Sequence, residues 1–195
     1  LAGDGFVVAA PEIFHRVEPV GTVIEPDAIG RLRGNDAASC TEIASYDADA
    51  QAVLAWLREQ AVVDQERLGA VGFCIGGHLA FRAAFRPAVR ATACLYPTGL
   101  QNGKLGRGVA DSLQRASEIK GALFTLFGSE DPHVPAEDRE RVLEALRGLR
   151  HETVLFEANH TFMRDDGWRW DPDLADQAWA AVITFLRREL SPAQP

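Results

Sequence analysis

Cysteine is scarce in this chain: its 195 residues include Cys40, Cys74 and Cys94 only, with no C-x-x-C pair. An odd, sparse set argues against a disulfide framework, and the missing C-x-x-C argues against a zinc ribbon. A reducing, cytoplasmic setting is therefore expected. Positive charge is also short. Lys and Arg number 20 against 28 Asp and Glu, for a formal charge of −8. The basic footprint that would draw nucleic acid or an anionic membrane is missing. Apolar runs stay well below the roughly 18 residues of a transmembrane helix, and no basic, apolar, small-residue signal peptide opens the sequence. Clusters with metal-ligand spacing are lacking too, so neither a metal nor an organic cofactor is expected. Methionine occurs once, at Met163. Because Leu1 falls in what reads as a helix-to-strand turn, further N-terminal sequence, with strands of its own, is expected to precede it.

What is present is ordinary for a globular protein: 47% hydrophobic and 25% charged residues. The length suffices for one domain with a sizeable core. Short apolar runs bounded by turn residues predict strands over 5–11, 67–73, 90–96, 122–127 and 151–156. Helical spacing predicts helices over 47–60, 75–85, 136–149 and 172–190. Residues 12–45 carry glycines, prolines and little periodicity, and read as a long loop holding at most one short helix. Strands alternating with helices indicate a mostly parallel sheet covered on both faces. The expectation is a single doubly wound α/β domain over residues 1–195, ending in a short tail, Ser191 to Pro195.

The stretch GFCIGG at residues 72 to 77 joins a predicted strand to a predicted helix. A G-x-nucleophile-x-G turn at such a junction forces its central residue into a strained conformation above the sheet edge. There Cys74 would project as a nucleophile, the N–H of Ile75 would face a developing oxyanion, and the helix N-terminus would lower the thiol pKa. A buried structural cysteine beside a tight turn is the plain alternative, and G-x-C-x-G alone is a weak match.

Downstream residues strengthen the functional reading. In this arrangement nucleophile, acid and histidine follow successive strands. The predicted strand 122–127 runs into Gly128-Ser129-Glu130-Asp131-Pro132, and strand 151–156 into Glu157-Ala158-Asn159-His160. Asp131 and His160 thus fall on the same sheet edge as Cys74, with room between them for one helix and one strand. Asp131 would orient His160, and His160 would pair with Cys74. Glu130 competes with Asp131, which also fits a turn or cap role. His15 and His133 lie in loops out of order, His78 lies within a helix, and His151 begins a strand. A proton-accepting imidazole predicts a rise in activity near a histidine pKa of about 6.5, or shifted from it.

Taken together, GFCIGG, FGSEDPHVP, NHTFMR, the opening GFVVAAPEIFHR and the tail DDGWRWDPDLADQAW resemble the dienelactone hydrolases, the cysteine branch of the α/β-hydrolase superfamily. The resemblance covers nearly the whole chain. It implies Cys74 as nucleophile, His160 as base and Asp131 as orienting acid, acting on a small ester or lactone through a thioester. In relatives whose lactone carries a carboxylate, two arginines bind that group, and these match Arg16 and Arg164. Both arginines fall in loops at the same sheet edge, where a guanidinium fork suits a carboxylate. The family also carries a glutamate that contacts the resting thiol and a second oxyanion N–H, on a segment matching sequence upstream of Leu1; Glu12 resembles that glutamate only superficially. Trp168 and Trp170 fit either the cleft or the surface. Three rivals stand beside this reading: a general cysteine esterase on neutral esters, a non-catalytic binding protein of the same fold, and a redox protein, which lacks a neighbouring cysteine to resolve Cys74.

Overall fold

The computed structural model describes residues 1–192, so residues 193–195 of the C-terminal tail lie outside the described residues. Its centre is an all-parallel sheet of four strands: β1 (Leu68–Phe73), β2 (Val89–Leu95), β3 (Ala122–Gly128) and β4 (His151–Phe156). Spatial order follows chain order, β1-β2-β3-β4. Helices α1 (Ala28–Cys40) and α2 (Ile43–Glu59) precede the sheet. Helix α3 (Ile75–Ala83) connects β1 to β2, α4 (Ala136–Ala145) connects β3 to β4, and α5 (Pro172–Leu190) follows β4.

Strand periodicity sorts the core into two layers. Ala91, Ala93 and Leu95 of β2, with Phe124 and Leu126 of β3, face Ala178, Val182 and Phe185 of α5. The intervening Cys94, Leu123 and Phe127 turn to the opposite face, against Phe81 of α3 and Val142 of α4 and the residues that cap these helices, Ala84 and Leu146. Helices therefore cover both faces, and the two central strands are apolar on both sides, as a parallel sheet requires. The β4 edge alternates instead, with Leu155 exposed. Helix α5 is punctuated at both ends. Asp171 caps it by accepting from the Leu174 N–H at 3.0 Å, Pro172 occupies its first turn, and Arg187 and Arg188 lie in its last.

The structure corrects the sequence expectations in the N-terminal third. Residues 5–11 form no strand, and Val7 and Val8 are about half exposed, at 49% and 50%. A strand exists only where a neighbour completes its ladder, and no described residue pairs with this segment. Residues 12–45 hold the 13-residue helix α1 and the start of α2, four residues earlier than expected. Two glycines and scant apolar periodicity obscure α1; the Asp27 carboxylate starts it by accepting from the Gly30 N–H at 2.7 Å. Helices α3 and α4 end two and four residues early, in turns.

One buried ion cluster ties these layers together. Arg82 of α3, 5% exposed, donates bidentately to Asp47 of α2 at 2.9 and 2.6 Å and to Asp111 at 2.9 Å. Replacing Arg82 with Met removes the partner of the half-buried Asp47. Asp111 is largely solvated and loses little. A destabilisation of about 2–3 kcal/mol is expected in urea unfolding, the scale of hydrogen bonds to a charged group. A variant within about 0.5 kcal/mol of wild type would show the cluster to be structurally idle.

Candidate active site

The turn after β1 is built by close approach. A Cβ on Gly72 would lie 1.8 Å from the Gly76 carbonyl oxygen, so only glycine lets the strand run this near the start of α3. Cys74 caps that helix at φ 55°, ψ −121°, a conformation side chains rarely adopt. Its backbone is pinned on both sides: its N–H donates to the Leu95 carbonyl at 3.0 Å, and its carbonyl accepts from Gly77 at 3.0 Å and Thr98 at 3.2 Å.

The Cys74 sulfur is partly buried and lies 3.6 Å from the Thr98 hydroxyl. Burial pushes the thiol pKa up. His160, as hydrogen-bond partner and as a charge, outweighs that with help from Thr98 and the Ile75 N–H, and the net shift is downward. The imidazole responds in the opposite sense. Burial lowers its pKa, but the hydrogen bonds and charges of Asp131 and Cys74 raise it to about 9. These two shifts act together, favouring the thiolate–imidazolium pair over the neutral one.

Asp131 and His160 come from the loops after β3 and β4, and each is nearly sealed from solvent (2% and 4% exposed). The Asp131 Oδ2 sits 2.6 Å from His160 Nδ1, while Oδ1 accepts from the His133 N–H at 2.8 Å. Pairing at Nδ1 leaves Nε2 as the nitrogen available to the thiol. Glu130 is exposed, and Asp131 is the carboxylate that meets the histidine. Two aromatic rings hold the imidazole edge-on: Tyr96, centroids 5.2 Å apart, and His133, 4.6 Å apart.

Backbone strain collects here. Cys74, Tyr96 and Thr161 are the non-glycine residues with positive φ among the described residues, and they follow β1, β2 and β4 at one sheet edge. Strained backbone clusters of this kind mark functional sites.

Of the predicted site residues, Cys74, Ile75, Asp131 and His160 converge, and the two arginines do not join them directly. Arg164 is half exposed and grips Asp166 at 2.5 and 3.0 Å, within electrostatic reach of Tyr96. Arg16 spends both ends of its guanidinium on Asp49 of α2, at 2.5 and 2.6 Å. His15 shares that carboxylate. Of the two tryptophans, Trp168 is 85% exposed and stacks under Arg169, and Trp170 is exposed as well, so both belong to the surface. Tyr96 and Thr98 went unnoticed in the sequence. Their position just after a parallel strand, on the edge that carries the site, was the available signal. Among the described residues, no His, Cys, Asp or Glu group is arranged to hold a metal, and no helix is long and apolar enough to cross a membrane.

The family model described as the dienelactone hydrolase family matches residues 1–190. The chain belongs to that family. A Saccharomyces cerevisiae protein provisionally named a carboxymethylenebutenolidase is 34% identical over 97% of this chain and 72% of its own length. The carboxymethylenebutenolidase of Pseudomonas putida is 26% identical over 95% of the chain and 75% of its length. Among solved structures, one from Klebsiella pneumoniae, provisionally titled a dienelactone hydrolase, superposes with a TM-score of 0.72 at 22% identity, covering 91% of this chain and 73% of that one. This likeness gives the dienelactone hydrolase chain its α/β-hydrolase fold.

Proposed function

We propose that this dienelactone hydrolase family member, a carboxylic ester hydrolase, opens a lactone or ester through a thioester on Cys74. The observation that carries the reading is Cys74 at a strained strand-to-helix turn, on the sheet edge where the Asp131 carboxylate holds His160 Nδ1 at 2.6 Å; a thiol pushed down beside an imidazole pushed up accords with it. In the first half-reaction the Cys74 thiolate adds to the substrate carbonyl carbon, and the Ile75 N–H stabilises the oxyanion. The carbon–oxygen bond to the leaving alkoxide then breaks, and His160 gives that alkoxide its proton.

Acylation changes the histidine. Once sulfur is a neutral thioester, the Cys74 share of what raised His160, its charge and hydrogen bond, is gone while that of Asp131 remains, and the imidazole pKa falls. Neutral His160 now takes a proton from water, the hydroxide attacks the thioester, and the thiolate leaves. The acid product departs and the ion pair is restored. Asp131 holds the imidazole in one tautomer throughout. With His160 holding its proton up to about 9, the rise in activity of the free enzyme is expected to follow thiol ionisation, below the usual thiol range, and not loss of the His160 proton.

The family name and the carboxymethylenebutenolidase names of relatives point to a lactone bearing a carboxylate. Arg164 is the better placed of the two arginines to receive it. Its partner Asp166 is exposed and exchangeable, whereas Arg16 is tied to Asp49 and reads as a structural strut. Replacing Arg164 with Ala is expected to lower kcat/KM about ten- to a hundredfold on a carboxylate-bearing enol lactone, and far less on a neutral aryl ester. Equal losses on both substrates would leave a general cysteine esterase. No turnover of either by wild type would leave a binding protein.

A further inference from the structure

We infer that Thr98 is a further catalytic residue: its hydroxyl donates a hydrogen bond to the resting Cys74 thiolate and fixes the sulfur for attack. This rests on the reading of Cys74 as the nucleophile. A thiolate has no proton to give, so in the 3.6 Å contact the hydroxyl is the donor. Thr98 is also held from behind. Its N–H donates to the Cys74 carbonyl at 3.2 Å, and its own carbonyl lies 3.2 Å from His78 Nδ1. Gly77 meets Pro97 closely: a Cβ there would stand 3.0 Å from the proline, so the 97–98 segment rests directly on the start of α3.

The proton positions along this chain follow from chemistry. A carbonyl only accepts, so His78 carries its proton on Nδ1 and gives it to Thr98. His78 is fully buried, and burial with the nearby Arg82 charge outweighs the pull of Thr98 and Asp47, bringing its pKa down to about 4. It is neutral at working pH, so Nε2 is an acceptor and takes the Ser112 hydroxyl proton at 2.7 Å. Ser112 in turn accepts from Arg82 Nη1 at 3.1 Å, and Arg82 is clamped by Asp47 and Asp111. His78 and Arg82, four residues apart, share one face of α3, the helix that Cys74 caps. At the near end of this chain of contacts the Thr98 hydroxyl faces the sulfur.

Valine has the shape of threonine without the hydroxyl, and serine keeps the hydroxyl. The test is the pH dependence of iodoacetamide alkylation at Cys74, followed by the mass of its peptide so that Cys40 and Cys94 do not contribute. Thr98→Val is expected to raise the alkylation midpoint by about one pH unit, a roughly tenfold loss of rate below the midpoint. Thr98→Ser is expected to stay within about 0.3 units of wild type. A Thr98→Val midpoint that also stays within about 0.3 units overturns the proposal. Should Thr98→Val fail to fold, Thr98→Ala carries the same comparison. The readout needs no turnover: if Cys74 were not the hydrolytic nucleophile, the midpoint would still move with Thr98, and the hydrolysis of Cys74→Ala would expose that separate error.

Discussion

Replacing Cys74 with alanine is expected to lower kcat/KM on any lactone or aryl ester by at least about a thousandfold, with the fold unchanged. The size follows from the role. Without sulfur there is no acyl intermediate, and the remaining groups offer only a bound water, one oxyanion donor and a histidine whose pKa no thiolate sustains. The fold is spared for a local reason: alanine needs less room than cysteine, and the backbone bonds of residue 74 to Leu95, Gly77 and Thr98 do not involve the side chain. Hydrolysis is measured against circular dichroism of the same preparation. Activity within about tenfold of wild type would remove Cys74 from the chemistry. Residual turnover in Cys74→Ser would not, since a hydroxyl at this turn retains both the position and the His160 neighbour.

His160→Ala should be nearly as damaging, by about a hundred- to ten-thousandfold, and its pH behaviour tells more than its rate. In wild type the thiol lies below its ordinary range chiefly because His160 overcomes burial. The thiolate is therefore present from below the usual thiol pKa, and the imidazolium persists up to about 9. Removing the imidazole leaves burial opposed by Thr98 and the Ile75 N–H alone. The alkylation midpoint of Cys74 should then move upward, toward or past the usual value of about 8.5. At pH 7 the variant should alkylate slowly where wild type reacts readily. An unmoved midpoint would mean that another group sustains the thiolate, and His133, packed on the same ring, would be the next residue to replace.

How much of this could be read from residues alone depended on the range of the forces involved. Strands β1 to β4 and helices α3 to α5 announced themselves, because each is a short apolar or amphipathic run bounded by its own turn residues. The acid and base were legible for a related reason: Asp131 and His160 directly follow such runs, so strand direction alone puts them at the edge where Cys74 sits. Residues 6–11 misled, because an apolar run reports strand propensity but not whether a neighbour exists. The one short helix allowed within residues 12–45 could not be placed, since a cap at Asp27, not periodicity, defines α1. The roles of Thr98, His78 and Ser112 were out of reach. Their contacts span 20 to 34 residues and exist only once α3 has packed against the segment after β2. Arg16 was placed at the site by resemblance more than by its loop position, and its pairing with Asp49 could not be read from the sequence.

The left-handed turn at residue 74 has a consequence for descent within this fold. Backbone at φ 55° costs a non-glycine residue on the order of 1–3 kcal/mol, and glycine almost none. Selection for durability alone would therefore drive position 74 toward glycine, erasing the nucleophile while improving the fold. Cysteine at this point is a residue that drift disfavours, and it survives in a lineage only while turnover is under selection.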